Sequence, residues 1–478
     1  MSESISPPAN GPPAAAPPAP AAPKQPKQTS TVRHTRAIQR DRGKRPPVGP
    51  PAAEIEAHLT ELVQPALYAQ VAAYRAMGRR HRLLTLPVLV AFVLSLLWRH
   101  VGSVGEAVRG LREEGILWTP PLEVSPQAVN QRPRTLPPAL FQGVLEGVLP
   151  ELHARWRART AAGDGGNGRA RPLPPVITRA RQHFPAILAV DGATLDALLR
   201  RVGLLREGEG PVLAGRMAAL LDVASCLPRR VWYEADSRAH DQRFWDAVLA
   251  ALAPGTLRLF DLGFLSYARF AALTGRDVRF VTRAKTTTAY RVERTLVWEP
   301  DRFEHLVWLG AGATRCGHVL RLVGVRRGGP GGAWRRYLTN VLEPAILPPE
   351  AVAALYGMRW RLEDAFALVK RLLGLAYFSV GASNAVQTQL WATWLLYAVL
   401  VDLTDAVAAA VHRPYAAVSL EMVYRGLYHF TQAVQRGRAA ATDPVGYLAA
   451  NASWLGILKR PRRRPAAQLS HLTASPDP

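Results

Sequence analysis

Cysteine is almost absent from this sequence, with only Cys226 and Cys316 among 478 residues. Two cysteines so far apart form no CxxC pair and cannot make a zinc cluster on their own. The sequence therefore favours a reduced, cytoplasmic protein.

The sequence has no clear signal peptide, and its two long apolar runs are interrupted or short. The N-terminal residues are rich in Pro, Ala and Ser and lack the apolar core of a signal peptide, so secretion is not expected. The run from Leu83 to Trp98 is slightly short for a membrane span and contains Pro87, which favours a buried helix. The run from Leu390 to Val411 contains Asp402 and Asp405 and is interpreted in the same way.

Acidic residues are too few to balance the basic ones. Against 60 Lys and Arg stand 36 Asp and Glu, which gives a net charge of +24. This excess favours a polyanionic partner, with nucleic acid as the first candidate and an anionic membrane surface as the second.

Both ends have the composition of disordered basic tails. Residues 1–50 are rich in Pro and Ala and become basic in their second half, and residues 459–478 contain a cluster of arginines. The N-terminal tail could keep the chain soluble or lie on DNA phosphates, and the sequence favours neither.

Helical spacing of apolar residues flanks the middle of the chain. Residues 51–160 predict a helical, possibly DNA-binding domain, and residues 412–458 predict a C-terminal helical region. Residues 161–180 are crowded with Gly and Pro and predict a linker.

The middle of the chain alternates strand-like and helix-like segments over residues 181–285 and 346–411, which predicts a mixed sheet covered by helices on both faces. Residues 286–345 are β-prone and predict a β-rich insertion. Two of the short apolar strands end in an acid, at Asp191 and at Asp261. The carboxyl ends of strands are where such sheets place ligands.

The stretch from Tyr356 to Lys370 predicts an amphipathic helix. At about 100° per residue, Tyr356, Arg359, Glu363 and Lys370 share one narrow strip beside an apolar stripe, whereas Asp364 points roughly 100° away from Glu363. A solvated charged flank would give the same pattern. An acid among a phenol and two cations is less common on a solvated helix face and indicates nearby phosphates. Because Asp364 points away from this strip, we predict that it is dispensable for metal binding.

Asp191, Asp261 and Glu363 are the candidate metal ligands. Cleaving or joining a phosphodiester needs divalent ions that bridge the attacking and leaving oxygens, and ions about 3.5 to 4 Å apart need several shared carboxylates. Two strand-end acids and one helix acid could supply them.

The order Asp, Asp, Glu, with the Glu inside Tyr-x2-Arg-x3-Glu-x6-Lys, resembles DDE transposases of the insertion-sequence-four family. The resemblance covers roughly Ile187 to Leu400 and is most specific in the helix motif. It is carried by Ala189-Val-Asp191-Gly-Ala-Thr, Phe260-Asp261-Leu-Gly-Phe-Leu, and Tyr356, Arg359, Glu363 and Lys370.

This resemblance implies an α/β fold with an RNase H-like mixed-sheet catalytic core, a β-rich insertion, and flanking helical N- and C-terminal regions. It implies cut-and-paste transposition in which two Mg²⁺ or Mn²⁺ ions are held by Asp191, Asp261 and Glu363. The partners would be double-stranded DNA, both the terminal inverted repeats of the element and the target, with a dimer assembled on DNA. The setting would be the bacterial cytoplasm at the nucleoid, with no membrane.

In the same resemblance Tyr356, Arg359 and Lys370 would bind phosphates at the DNA end. Arg suits bidentate contact with a phosphate, and Lys acts as a point charge.

Other interpretations remain open at this stage. The chain could be another RNase H-like DNA nuclease, a catalytically inactive domesticated DNA-binding protein, or a polytopic membrane protein. Two further groups could bind DNA or could serve structure alone: the tryptophans of the insertion, and the two cations after a predicted strand. They are Trp298, Trp308, Trp334, Arg283 and Lys285.

Overall fold

The computed structural model describes residues 53–78, 83–99, 104–161, 171–195, 215–261, 266–310, 316–326, 331–373 and 383–459. The predicted basic tails, apart from Lys459, and the helix-like stretch that follows Leu195 lie outside the described residues.

The described helices and strands follow the order that the sequence predicts. The helices are α1 (Ala53–Ala76), α2 (Leu86–Trp98), α3 (Val104–Glu113), α4 (Pro126–Thr135), α5 (Ala139–Ala161), α6 (Pro175–Ala180), α7 (Trp245–Ala250), α8 (Tyr267–Gly275), α9 (Pro349–Met358), α10 (Trp360–Arg371), α11 (Ser383–Ala410), α12 (Leu420–Gln435) and α13 (Pro444–Ala450). The strands are β1 (Ile187–Thr194), β2 (Arg216–Asp222), β3 (Pro228–Glu234), β4 (Leu257–Phe260), β5 (Arg279–Arg283), β6 (Tyr290–Trp298), β7 (Arg302–Leu309), β8 (Leu320–Arg326) and β9 (Trp334–Thr339).

These strands form one mixed sheet in the order β3-β2-β1-β4-β5-β9-β8-β7-β6. Strands β1, β4 and β5 run parallel, while β2 pairs with β1 and with β3 in antiparallel fashion. The order β3-β2-β1-β4-β5 with β2 reversed is the RNase H-like arrangement, so the predicted α/β fold class is confirmed.

The central strands β1, β4 and β5 are mostly buried because helices cover both faces of the sheet. One face carries Ile187, Ala189 and Leu259 in the same core as α9, α10 and α11. The other carries Val190 and Phe260 against helices α7 and α8. Side chains alternate between faces along a strand, so residue parity decides which core each one joins.

The predicted β-rich insertion extends the main sheet. Strand β9 pairs with β5 in antiparallel register, and β8, β7 and β6 follow outward. The sequence predicts these strands but not their partner, because local patterns carry no information about which edge they join. The insertion is therefore hydrogen-bonded to the core through β5.

The helices that precede the sheet pack on the helices that follow it. Helix α5 lies along α11, where Arg159 Nε is 2.7 Å from Asp405 Oδ2 and Arg171 Nε is 2.7 Å from Asp405 Oδ1; Arg159 also pairs with Asp402. Arg171 and Asp405 are both buried. We call Arg159, Arg171, Asp402 and Asp405 the interhelix cluster.

Two membrane-like runs from the sequence are helices buried among other helices. Most residues of α2 are buried, which agrees with the buried-helix prediction. Helix α11 is long and apolar enough to cross a membrane by composition, but 78% of its most apolar stretch is buried inside the protein. This burial favours a core helix.

Residues 171–180 differ from the linker that was expected across 161–180. They contain the short helix α6, and Arg171, Ile177 and Ala180 are buried. Their contacts are made with distant parts of the chain, which the Gly and Pro content of the segment does not reveal.

Candidate active site

Asp191 and Asp261 lie side by side at one edge of the sheet. The parallel pairing of β1 with β4 ends at Val190 and Phe260, so the next residue of each strand is an aspartate. By alternation both belong to the face that α9 and α10 cover. Strand β1 was expected to end at Asp191, but it continues to Thr194 because β2 still pairs with it.

Helices α9 and α10 bring the third acid to this edge. The apolar residues Leu355, Leu362 and Val369 are fully buried, as the predicted stripe requires. The sequence predicts one continuous helix, but the structure has a tight turn at Arg359, whose amide donates to the Tyr356 carbonyl at 3.1 Å. The polar side chains on both sides of this turn still face the sheet edge.

Arg359 links two of the three acids. Its guanidinium is 2.8 Å from Asp191 Oδ2 through Nη1 and 2.9 Å from Glu363 Oε1 through Nη2. The Arg359 side chain is only 5% exposed, whereas that of Glu363 is 36% exposed. A buried cation thus holds together two acids that come from different parts of the chain.

Tyr356 holds the remaining acid. Its hydroxyl donates to Asp261 Oδ1 at 3.1 Å. The Tyr356 ring is packed against Tyr337 of β9, with ring centroids 5.3 Å apart. The insertion therefore supports the side chain that contacts Asp261.

Burial changes the proton affinities of these groups. Burial raises the pKa of Asp191 to about 6, and the charges of Asp241 and Asp261 act in the same direction, while Arg359 and the Gly192 amide oppose them. Burial, followed by the Asp261 charge, raises the pKa of Tyr356 to about 12. Burial alone would lower the pKa of Arg359, but the surrounding carboxylates outweigh it and raise that pKa. Tyr356 and Arg359 therefore remain protonated at neutral pH.

Lys370 contacts β1 three residues beyond Asp191. Its ammonium donates to the Thr194 backbone carbonyl at the end of β1. Asp364 is exposed, in agreement with its predicted direction away from the cleft. Tyr356, Arg359, Glu363 and Lys370 thus all face the end of β1 or β4.

A fourth acid, Asp241, lies beside this group and was not predicted from the sequence as a site residue. It opens the 3-10 helix Asp241–Phe244 and forms an ion pair with Arg216 at the start of β2. A Cβ added to Gly192 would lie 2.0 Å from Asp241 Oδ1, so the carboxylate packs directly on the glycine after Asp191. Only the glycine after the acid, in Asp-Gly-Ala-Thr, could have suggested such a contact.

The candidate ligands have the donor atoms that suit Mg²⁺ or Mn²⁺, although their carboxylates are not already grouped around a common point. Three carboxylates supply the hard oxygen atoms that these ions prefer. Within the described ranges, no three His, Cys, Asp or Glu residues already lie in a metal-holding group. Arg359 places a positive charge between Asp191 and Glu363, where a divalent ion would balance the same two carboxylates.

The other candidate DNA contacts differ in exposure. Trp298 is 71% exposed at the end of β6, next to His305, with ring centroids 5.7 Å apart. Trp334 packs on Phe303, and Trp308 donates to Glu293 Oε2 at 3.0 Å. Trp334 and Trp308 therefore have structural contacts, while one large face of Trp298 is open to solvent.

Known proteins share part of this sequence. Residues 213–399 match the family model described as Transposase DDE domain. This range contains Asp261, Glu363 and the whole Tyr-Arg-Glu-Lys strip, and it begins after Asp191.

One curated relative, named "Putative transposase y4zB", comes from Sinorhizobium fredii (strain NBRC 101917 / NGR234). It is 29% identical over 202 residues, which are 41% of this chain and 54% of that protein. The chain thus spans about half the length of the curated relative that it matches.

A solved structure, the cryo-EM piggyBac transposase synaptic complex with hairpin DNA, aligns over 85% of this chain and 84% of that chain, at 11% identity and a TM-score of 0.34. That likeness is too low to add to the fold assignment, which rests on strand order. Residues 213–399 of this chain are therefore similar to a transposase DDE domain.

Proposed function

We propose that this protein is a transposase of the insertion-sequence-four family that cuts DNA at the ends of a mobile element and joins the freed 3′-hydroxyl to target DNA. The observation that carries the proposal is the meeting of Asp191, Asp261 and Glu363 at one sheet edge around a buried arginine. The DDE domain over residues 213–399 supports it.

Asp191, Asp261 and Glu363 would hold two Mg²⁺ or Mn²⁺ ions, which bring the attacking and leaving oxygens of the phosphodiester together and neutralise the charge that develops on them. The proposed partners are terminal inverted repeats and target DNA, engaged by a dimer on double-stranded DNA. The net charge of +24 supports a polyanionic partner, and the proposed location is the cytoplasm, at the nucleoid.

Arg359, Tyr356 and Lys370 would serve the DNA end. The guanidinium of Arg359 is planar and can bind a phosphate in bidentate fashion, as it now binds two carboxylates. A DNA-end phosphate would compete for that guanidinium and free Asp191 and Glu363. DNA-end binding and metal binding would then support each other.

The direct test uses purified protein, Mg²⁺ and DNA fragments from each side of the gene. Cleavage at a defined end and joining of that end to a plasmid are the expected products, because a simple nuclease would not join. Alanine at Asp191, Asp261 or Glu363 should abolish both reactions while fluorescence anisotropy still reports DNA-end binding. Asp364→Ala is the matched control, since it removes an exposed acid beside Glu363. Cleavage near the wild-type rate by Asp261→Ala would sink the assignment.

Competition for Arg359 gives a second test. Arg359→Gln removes a cation from two carboxylates, so Mn²⁺ should bind the DNA-free protein about tenfold more tightly, while affinity for the DNA end falls. Electron paramagnetic resonance of Mn²⁺ and anisotropy of labelled DNA measure the two effects. Weaker Mn²⁺ binding by the variant would contradict competition between the guanidinium and the metal.

A further inference from the structure

Gly192 follows a proposed metal ligand, and its lack of a side chain is explained by one neighbour. A Cβ at this position would lie 2.0 Å from Asp241 Oδ1 and 2.6 Å from Asp241 Cγ, much closer than real Cβ contacts allow. The backbone of Gly192 is regular β-strand, so the missing side chain leaves room for the Asp241 carboxylate and does not serve a left-handed conformation.

Asp241 is itself held in place from the opposite side. Arg216 forms an ion pair with it, and the side chains of Arg216 and Asp241 are only 18% and 24% exposed. Arg216 lies opposite Thr194 in the pairing of β1 with β2. The ion pair therefore connects the Asp241–Phe244 3-10 helix to the start of β2, which pairs with the part of β1 that extends beyond Asp191.

The Gly192 backbone, which Asp241 contacts, also orients the Asp191 carboxylate. The Gly192 amide donates to Asp191 Oδ1 at 2.9 Å, and Arg359 holds Oδ2 at 2.8 Å. A shift of the Gly192 backbone would move one of these two restraints and turn the carboxylate. The charge of Asp241 is also close enough to act on Asp191.

We propose that Asp241, held by Arg216 against Gly192, is a positioning residue that orients Asp191 for the divalent metal and adds a negative charge just outside its ligands. This inference rests on the proposed function, because it assigns Asp241 to the same metal site.

The decisive experiment compares four variants of the full chain by Mn²⁺ binding, measured by electron paramagnetic resonance, and by thermal unfolding. Gly192→Ala introduces the clash and should weaken Mn²⁺ binding at least about tenfold. Asp241→Ala should weaken it less, since the strand remains undistorted. The double variant Gly192→Ala/Asp241→Ala should bind Mn²⁺ more tightly than Gly192→Ala alone, because the new methyl group fills the space that the carboxylate leaves.

Asp241→Asn separates positioning from a merely structural role. It keeps the shape of the side chain, so the protein should unfold near the wild-type temperature, yet Mn²⁺ should bind about threefold more weakly because the charge is lost. Asp246→Ala is the control: it removes an exposed acid on helix α7, five residues further on, and should bind Mn²⁺ as the wild type does.

Each outcome decides something. Wild-type Mn²⁺ binding by Gly192→Ala, or a double variant no better than Gly192→Ala, overturns the role of Asp241 and leaves the proposed function standing. If the Asp241→Asn variant binds Mn²⁺ as tightly as the wild type, the charge of Asp241 does not contribute to metal binding, and that part of the proposal is overturned. A wild-type protein that neither binds Mn²⁺ nor cleaves flanking DNA overturns the proposed function, and this inference with it.

Discussion

The interhelix cluster and the group of charged side chains at the sheet edge differ in charge balance. In the interhelix cluster two aspartates face two arginines, and Asp405 is 1% exposed. At the sheet edge three carboxylates, Asp191, Asp261 and Glu363, share one arginine and one tyrosine. The first cluster has no excess of negative charge and lies largely buried between helices, while the second keeps an excess of negative charge beside solvent.

This difference separates a cluster that connects helices from the proposed metal site. A buried ion pair whose charges cancel needs no further partner, and it connects α5 with α11. A cluster with excess negative charge at a cleft is costly until cations bind, and burial adds to that cost, because it is the main cause that raises the pKa of Asp191 to about 6. Excess charge therefore indicates function here more reliably than the presence of carboxylates does.

The largest expected effect on the free energy of unfolding is at the interhelix cluster. Asp405→Ala leaves the buried Arg171 without its aspartate, and we expect a loss of about 3 to 5 kcal/mol of unfolding free energy. Chemical denaturation at pH 7 measures it. A loss below about 1 kcal/mol would show that this cluster contributes no more than a surface pair does.

At the sheet edge, we expect that removing the charge of Asp191 raises the free energy of unfolding instead of lowering it. The pKa of Asp191, about 6, is above its unfolded value, so folding favours its protonated form. The wild type should lose stability as the pH rises from about 4 to 6, and Asp191→Asn, which cannot ionise, should not.

In EDTA the Asp191→Asn variant should therefore match the wild type near pH 4 and be more stable by about 2 to 3 kcal/mol at pH 8. Denaturation curves across this pH range measure the difference. A destabilised variant at pH 8 would mean that Arg359 already compensates the Asp191 charge in full.

A smaller effect is expected from the second cation at the sheet edge. Lys370→Ala should weaken binding to the DNA end and reduce the salt dependence of that binding by about one unit, because one phosphate contact is lost. Anisotropy titrations at several salt concentrations measure the slope. An unchanged slope would assign Lys370 to the Thr194 carbonyl alone.

The smallest effect is expected beside Glu363. Asp364 is exposed, so Asp364→Ala should change stability by less than about 0.5 kcal/mol and leave cleavage unchanged. Thermal unfolding and the cleavage assay measure both quantities. If Asp364→Ala folds but is as inactive as Glu363→Ala, the predicted orientation of these two acids on the helix is wrong.

The sequence predicted the parts of this site that follow local periodicity. These parts all depend on spacing along one element. They are the strands before Asp191 and Asp261, the buried stripe through Leu362, and the side of the helix on which Glu363 lies. These predictions agree with the structure because the neighbouring elements cover the faces that the spacing made apolar.

What the sequence could not predict depends on contacts between distant segments. The turn at Arg359, the pairing of β9 with β5, and the approach of Asp241 to Gly192 each involve partners that no local pattern specifies. The guanidinium of Arg359 was expected at phosphates, and it now holds two carboxylates because they are the nearest anions in the protein alone.

The pairing of β9 with β5 limits how the insertion can evolve. Tyr337 lies opposite Arg283 in this ladder and packs on Tyr356, which in turn donates to Asp261. A slip of one residue would turn Tyr337 to the other face of the sheet and remove the support for Tyr356. Strand β9 must therefore keep its register for as long as Tyr356 is to reach Asp261.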